Sequence, residues 1–195
     1  MFKKLFNAFS VLFVVLLFVS VRAGAQEFSA DMVSSDGKQT VNARIYVAPQ
    51  KVRMEMPENT MIIRRDKGLS WILMPSDKMY MEQPINMSSA PKVSKDFDGE
   101  IERVAMGTET VDGAPAEKFK VTYTEKGKNV SVYQWLRDGV IPVKIEAVDG
   151  TWSMEYKNLK TGPQPGELFE PPAGYEKFGM PDMGDMMKGL GDMMR

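Results

Sequence analysis

The side chains that carry most enzyme chemistry are missing from this chain, which has no His and no Cys among its 195 residues. That removes a His-based triad, a Cys nucleophile and the usual zinc ligand sets. It also removes any disulfide. No Gly-x-Ser-x-Gly elbow, phosphate loop or dinucleotide fingerprint is present. Carboxylates and thioethers remain. The densest carboxylate group is Asp96, Asp98, Glu100 and Glu102. Its spacing superficially suits calcium, but Gly99 falls too early for the twelve-residue loop and no Glu closes it. On a strand these four share one face, most simply a solvated one. We therefore expect no enzymatic reaction and no cofactor.

The thioethers are the other chemical resource. Six of the 17 methionines fall in the last 16 residues, Met180 to Arg195. Met180, Met183, Met187, Leu190 and Met194 follow the 3-4-3-4 spacing of one helix stripe. Gly184, Gly189 and Gly191 interrupt it, at a cost of about 1 kcal/mol each against Ala. A free helix of this length is already marginal in water. Such a tail is either disordered or helical because it docks, for instance over the mouth of a sheet. A sharper alternative uses Met180, Met183, Met186 and Met187 as soft ligands for Cu(I). Methionine at helical spacing is more often packing than metal ligation.

The elements that would position an apolar site are strands. Thr40–Val47, Lys51–Met56, Thr60–Arg65, Leu69–Met74 and Lys78–Gln83 follow one another closely. Val52, Met54 and Met56 alternate with Arg53 and Glu55. Asp-Gly pairs at 36, 98, 112, 138 and 149 mark turns, because both residues tolerate positive φ. Phe28–Ser35 should pair with Lys38–Val47. Val130–Arg137 should pair with Val140–Val148, and that strand with Thr151–Lys157. Glu100–Thr110 and Ala116–Glu125 bring the count to about eleven, spaced as an antiparallel meander. Pro84 to Phe97 is polar and reads as a loop or a short helix that could serve as a lid. Leu168-Phe169, before Pro171-Pro172, reads as a last edge strand.

So long a sheet without large helices implies an incomplete barrel with a groove inside. A face of methionines and rings is soft enough to accept an apolar ligand of variable shape. The candidate lining is Met54, Met56, Trp71, Leu73, Met79, Met81, Phe119 and Trp152.

Residues 1–25 read as an export signal. Lys3 and Lys4 precede the apolar run Val11–Val19, and Ala23-Gly24-Ala25 offers a cleavage site before Gln26. The run is short for a membrane span, which takes roughly 20 residues. Loss of Lys3, Lys4 and Arg22 leaves 22 basic against 26 acidic residues, a net charge of −4. That argues against a nucleic-acid partner. With no Cys to lipidate, the mature chain has no lipid anchor, and it is expected in the periplasm. Residues 26–178 would form the β domain and 179–195 the methionine-rich tail.

The succession ARIYVAPQKVRMEM, IIRRDKGLSWILMPSDKMYME, WLRDGVIPVKIEAVDG and LFEPPAGYEKF resembles the LolA/LolB-like lipoprotein-carrier superfamily. It is nearer still to a bacterial branch of exported proteins carrying a domain of unknown function. Tyr46, Pro49, Lys51 and Arg53 carry the first part of the resemblance, and Asp66, Gly68, Trp71 and Pro75 the second. Asp138, Gly139, Phe169, Pro171, Pro172 and Gly174 carry the third. The resemblance implies an unclosed antiparallel barrel with helices over a concave apolar face that holds lipoprotein acyl chains. Two departures stand out. No amphipathic helix precedes Phe28, and Ala48 stands where carriers often have a basic residue before the Pro. The expected partner is a lipid or lipoprotein acyl chain; an envelope protein bound by the same fold is the alternative.

Overall fold

The computed structural model describes residues 26–86 and 93–179. The export segment 1–25, the middle of the expected lid (87–92) and the tail 180–195 lie outside the described residues.

One sheet of twelve strands makes up the domain. In chain order these are β1 (Phe28–Ser35), β2 (Thr40–Ala48), β3 (Lys51–Glu55), β4 (Thr60–Arg64), β5 (Leu69–Met74) and β6 (Met79–Pro84). There follow β7 (Glu100–Val111), β8 (Ala114–Glu125), β9 (Lys128–Arg137), β10 (Ile141–Ala147), β11 (Ser153–Thr161) and β12 (Glu176–Lys177). The spatial order is β12-β6-β5-β4-β3-β2-β1-β11-β10-β9-β8-β7. Every pair is antiparallel except β12 on β6. The pairings expected from the Asp-Gly turns, β1 with β2, β9 with β10 and β10 with β11, are all present.

Local chemistry explains the hairpins. Asp112-Gly113 and Asp138-Gly139 both have positive φ at each residue, as a two-residue type I′ turn requires. Lys126-Gly127 does the same between β8 and β9, although it lacks the Asp that would advertise it.

The sheet stays open, with β7 and β12 as its edges. Register shifts between Glu100 and Glu102 and between Ala105 and Gly107 leave Ile101 and Met106 as extra residues in β7. Bulges of this kind interrupt an edge ladder and discourage a further strand from adding.

The sheet curls strongly. A flat sheet would hold β3 and β10 about 19 Å apart, four strand spacings, yet residues from both line one cavity. On the other side of β10, Leu159 of β11 donates its backbone N–H to Asp112 at the β7–β8 turn. A single core cluster accordingly runs from Val52 and Ile63 through Phe28 and Tyr156 to Val143, Trp135 and Val111. The Phe28 and Tyr156 rings lie 5.6 Å apart, and burial pushes the Tyr156 phenol well above its ordinary pKa.

The opposite face of β3–β6 is closed by the chain's own C-terminal segment. Leu168-Phe169 is not an edge strand: Gly166–Phe169 forms a short 3-10 helix laid across the sheet. The edge strand comes later, as β12. Proline explains part of this, since Pro165, Pro171 and Pro172 supply no ladder donors. The Phe169 side chain supplies the rest. It is 0% exposed and packs with Ile62, Trp71 and Leu73. Arg53 donates to the Leu168 carbonyl at 2.9 Å and Arg64 to the Phe169 carbonyl at 3.1 Å. Arg64 also grips Asp66 through two hydrogen bonds, at 2.8 and 2.7 Å, and bonds Glu170. Lys67 reaches both oxygens of Glu170. This is the one helical element among the described residues, and it lies on the face away from the cavity. The resemblance implied helices over the concave face instead.

These ion pairs give stability a pH dependence. The hydrogen bond from Arg64 holds the Asp66 carboxyl below its ordinary pKa, against a smaller opposing effect of burial. Burial raises Glu170, but its bonds to Lys67 and Arg64 outweigh this and leave it lowered. A lowered folded-state pKa stabilises above the unfolded value, near 4, and that stability is lost as pH falls through the folded values. Both carboxylates are partly solvated, so the effect is about 1 kcal/mol or less. Urea midpoints at pH 7 and pH 3 should therefore differ less in Asp66→Asn than in the parent chain.

Candidate functional site

One cavity among the described residues has a volume of about 540 Å³. Phe28 of β1, Val47 of β2, Val52 of β3 and Ile141 and Pro142 of β10 form its apolar floor, with Val93 laid over them. Gln26, Gln50, Lys51, Arg65, Ser94, Lys95 and Asp96 supply its polar lining, and of these Gln26, Gln50, Lys95 and Asp96 are exposed. Phe28, Val47 and Val52 share a face by register: Phe28 opposes Val47, which opposes Val52.

Beside the cavity the sheet is incomplete. β10 pairs with β11 only over Lys144–Glu146, so Ile141 and Pro142 have β9 as their sole ladder partner. Pro142 lacks the N–H that a second ladder would use. The register between β9 and β10 also shifts at this point, between Pro142 and Lys144. Ile141 and Pro142 line the cavity together with Phe28 and Val47.

Residues 93–97 cross this face as a strap. Val93 packs on the core cluster, as does Ile85 on the near side of the undescribed stretch. Phe97 stacks on Tyr123 of β8 at 4.7 Å. Arg103 fastens the strap: it donates to the Lys95 carbonyl and to Gln134 Oε1, both at 2.7 Å, and pairs with Glu100. The Arg103 hydrogen bonds hold the Glu100 carboxyl below its ordinary pKa.

None of the eight residues expected to line a pocket forms this cavity. Met54, Met79 and Met81 do lie on the cavity's face of the sheet. Met54 opposes Met61, Met61 opposes Ile72, and Ile72 opposes Met81. Met56 follows β3 with the same parity and is half-buried. Trp71 and Leu73 alternate with Ile72 and so face the other way, under Phe169. Phe119 is covered by the Arg103 guanidinium, 5.4 Å from its ring centre. Trp152 precedes β11 rather than lying in a strand, and its carbonyl accepts from Ala147 N–H. Of the carboxylate group, Glu100 is committed to Arg103. Among the described residues no three acidic side chains gather as a metal site would need.

The residues that sequence reasoning missed are the floor itself. Val52 was visible as the first member of the Val52–Met54–Met56 stripe. Phe28, Ile141 and Pro142 carry no local signal, because only the curl brings them together.

A family model described as a domain of unknown function, DUF4412, matches residues 28–140. The chain belongs to that family. The matched part of this DUF4412 protein runs from the start of β1 to the end of β9, so it includes the β1–β3 half of the cavity floor. No curated protein sequence matches the chain. Solved structures similar to it include MucB, with a TM-score of 0.49 and 16% identity over 76% of this chain. The chain spans 58% of that MucB structure. A MucA/MucB complex of Pseudomonas aeruginosa gives 0.47 and 16% identity, over 76% of this chain and 56% of the other. A putative outer membrane lipoprotein-sorting protein domain from Vibrio parahaemolyticus gives 0.34 and 13%, over 75% and 90%. At TM-scores below 0.5 these likenesses carry nothing about ligands or partners. The DUF4412 chain has to be read from its own geometry.

Proposed function

We propose that this protein is an exported envelope protein that binds one apolar chain, of a lipid or an acylated lipoprotein, in the cavity at the split between β10 and β11. It is a binding protein and catalyses no reaction. The observation that carries this reading is the cavity's composition and size. Phe28, Val47, Val52, Ile141 and Pro142 give it an apolar surface, Lys51 and Arg65 line it beside them, and the polar Gln26, Gln50, Lys95 and Asp96 are exposed to solvent. A volume of 540 Å³ falls within the range of small-ligand sites, about 300–1,000 Å³. An apolar chain is a ligand of that size class. Each methylene buried contributes about 0.8 kcal/mol, so a chain is held without polar contacts to its tail. The half-buried methionines beside the floor let the wall adapt to chains of different shape.

Export is supported by the basic, apolar and small-residue succession of residues 1–25. No helix among the described residues is long and apolar enough to cross a membrane.

Titration of residues 26–195 with a fluorescent polyunsaturated fatty acid tests the reading. Saturable binding of one probe per chain, displaced by palmitate, is expected. A linear, unsaturable response would overturn it.

A further inference from the structure

The cavity's sheet face changes character along its strands. On β3 and β4 the residues of that face stand opposite one another in pairs, Val52 against Ile63 and Met54 against Met61. The ladder runs one pair further the other way, because Arg65 donates its backbone N–H to the Gln50 carbonyl at 2.9 Å. Alternation therefore puts Gln50 and Arg65 on the same face as Val52 and Ile63, and both line the cavity. Along the strands the face passes from an amide and a guanidinium, through aliphatic side chains, to the half-buried methionine row of Met54, Met61 and Met81. Successive pairs stand about 7 Å apart.

The polar end is cationic. Among the charged residues that line the cavity, Lys51, Arg65 and Lys95 are cations and Asp96 is a carboxylate. Lys51 turns to the other face, where its ammonium lies over the Phe169 ring, 5.9 Å from the centre. Arg65 is half-buried beside the floor, and Lys95 is exposed on the strap. Gln50 stands between β2 and β3 at a φ of 62°, in the left-handed region that favours glycine. A glycine would make this turn without strain, yet it would bring no side chain to the cavity.

We propose that the ligand's head is an oxyanion, a carboxylate or a phosphate, seated at the Gln50–Arg65 pair, with its chain running along Val52 toward the methionine row. The inference rests on the cavity being the acyl-chain site and adds the chemistry of the head. A guanidinium presents a planar fork of N–H donors, so Arg65 holds an oxyanion through paired bonds while it keeps other contacts. Gln50 supplies an amide donor beside it, and Lys95 adds positive charge from the strap. The ester and amide linkages of a lipoprotein's acyl chains carry no charge. The cationic end therefore favours a free anionic lipid over an acylated lipoprotein.

Laurate, dodecyl phosphate and 1-dodecanol, which share one chain and differ in the head, provide the test. Each is used to displace the fluorescent polyunsaturated fatty acid from residues 26–195. At least one of the two anions should act at a concentration roughly tenfold or more below that of the alcohol. The stronger anion tells a carboxylate head from a phosphate head. The ratio of anion to alcohol is read, so a change in the probe's own affinity cancels. Arg65→Gln should bring that ratio to within about twofold. Gln50→Gly removes the strained side chain, so it should melt no lower than the parent and still reduce the ratio. An alcohol as effective as both anions on the parent chain would overturn the proposal and leave the apolar-chain reading standing. A ratio kept intact in both variants would overturn it as well, by seating the head elsewhere. Failure of all three compounds to displace the probe would sink both readings together.

Discussion

Phe169→Ala lowers the stability of the folded domain by about 3–5 kcal/mol. The ring is wholly buried against Ile62, Trp71 and Leu73, and its removal leaves a hole that the neighbouring strands cannot close. The backbone on either side is held by Arg53 and Arg64, so the 3-10 helix cannot sink to fill it. For a domain of this size, each kcal/mol shifts Tm by roughly 2–4 °C, so a drop on the order of 10 °C is expected in a thermal scan. Phe169→Leu, which keeps most of the volume, should lose much less. If Phe169→Ala melted with the parent chain, the C-terminal segment would not be part of the folding unit.

Val52→Asp weakens binding of an acyl probe by roughly thirtyfold or more at pH 7. The substitution places a carboxylate in the cavity floor, and ligand binding would strip it of water, at a cost of about 2 kcal/mol or more. Burial also raises the new carboxyl's pKa. Lowering the pH toward 5 should therefore restore part of the affinity as the group takes up a proton. Val52 is buried, so a second variant guards against a trivial loss of fold. Val140 lines the same cavity and is 47% exposed; Val140→Asp should leave the melting curve nearly unchanged and still weaken the probe several-fold. Unchanged affinity in both variants would move the ligand elsewhere.

These two predictions concern opposite faces of one sheet, and sequence periodicity treats the faces unequally. In β3 the alternation of Val52 and Met54 with Arg53 and Glu55 gives the faces correctly. In β5 it does not, because Leu69, Trp71 and Leu73 and the intervening Ile72 and Met74 are all apolar. That strand is covered on one side by Phe169 and faces the methionine row on the other, so both its faces read alike. Periodicity therefore groups Trp71 and Leu73 with Met79 and Met81, although the two point away from them. The Asp-Gly hairpins were legible because turn chemistry is local. The 3-10 helix was not, since the arginines that hold Leu168 and Phe169 lie more than a hundred residues upstream.

The same distance effect explains the family resemblance. Tyr46, Arg53, Asp66, Trp71 and Phe169 come from well-separated motifs, yet they surround one buried patch. Tyr46 and Trp71 pack there, Arg53 holds Leu168, and Asp66 orients Arg64. The motif residues thus secure the C-terminal segment against the sheet. The cavity floor is made by less distinctive residues, Val47, Val52 and Ile141, which any apolar strand could supply. The recognisable part of this sequence describes how the fold is closed, while the part that would select a ligand is plain.

The central claim is that the cavity at the β10–β11 split holds a single apolar chain. Native mass spectrometry of residues 26–195, purified from the periplasm without detergent, tests it most directly. Spectra before and after organic extraction would be compared. The account predicts an extractable adduct of several hundred daltons, one per chain, identified as a fatty acid or a lipid and lost in Val52→Asp. A bare protein mass that stays bare after incubation with added lipid would contradict it.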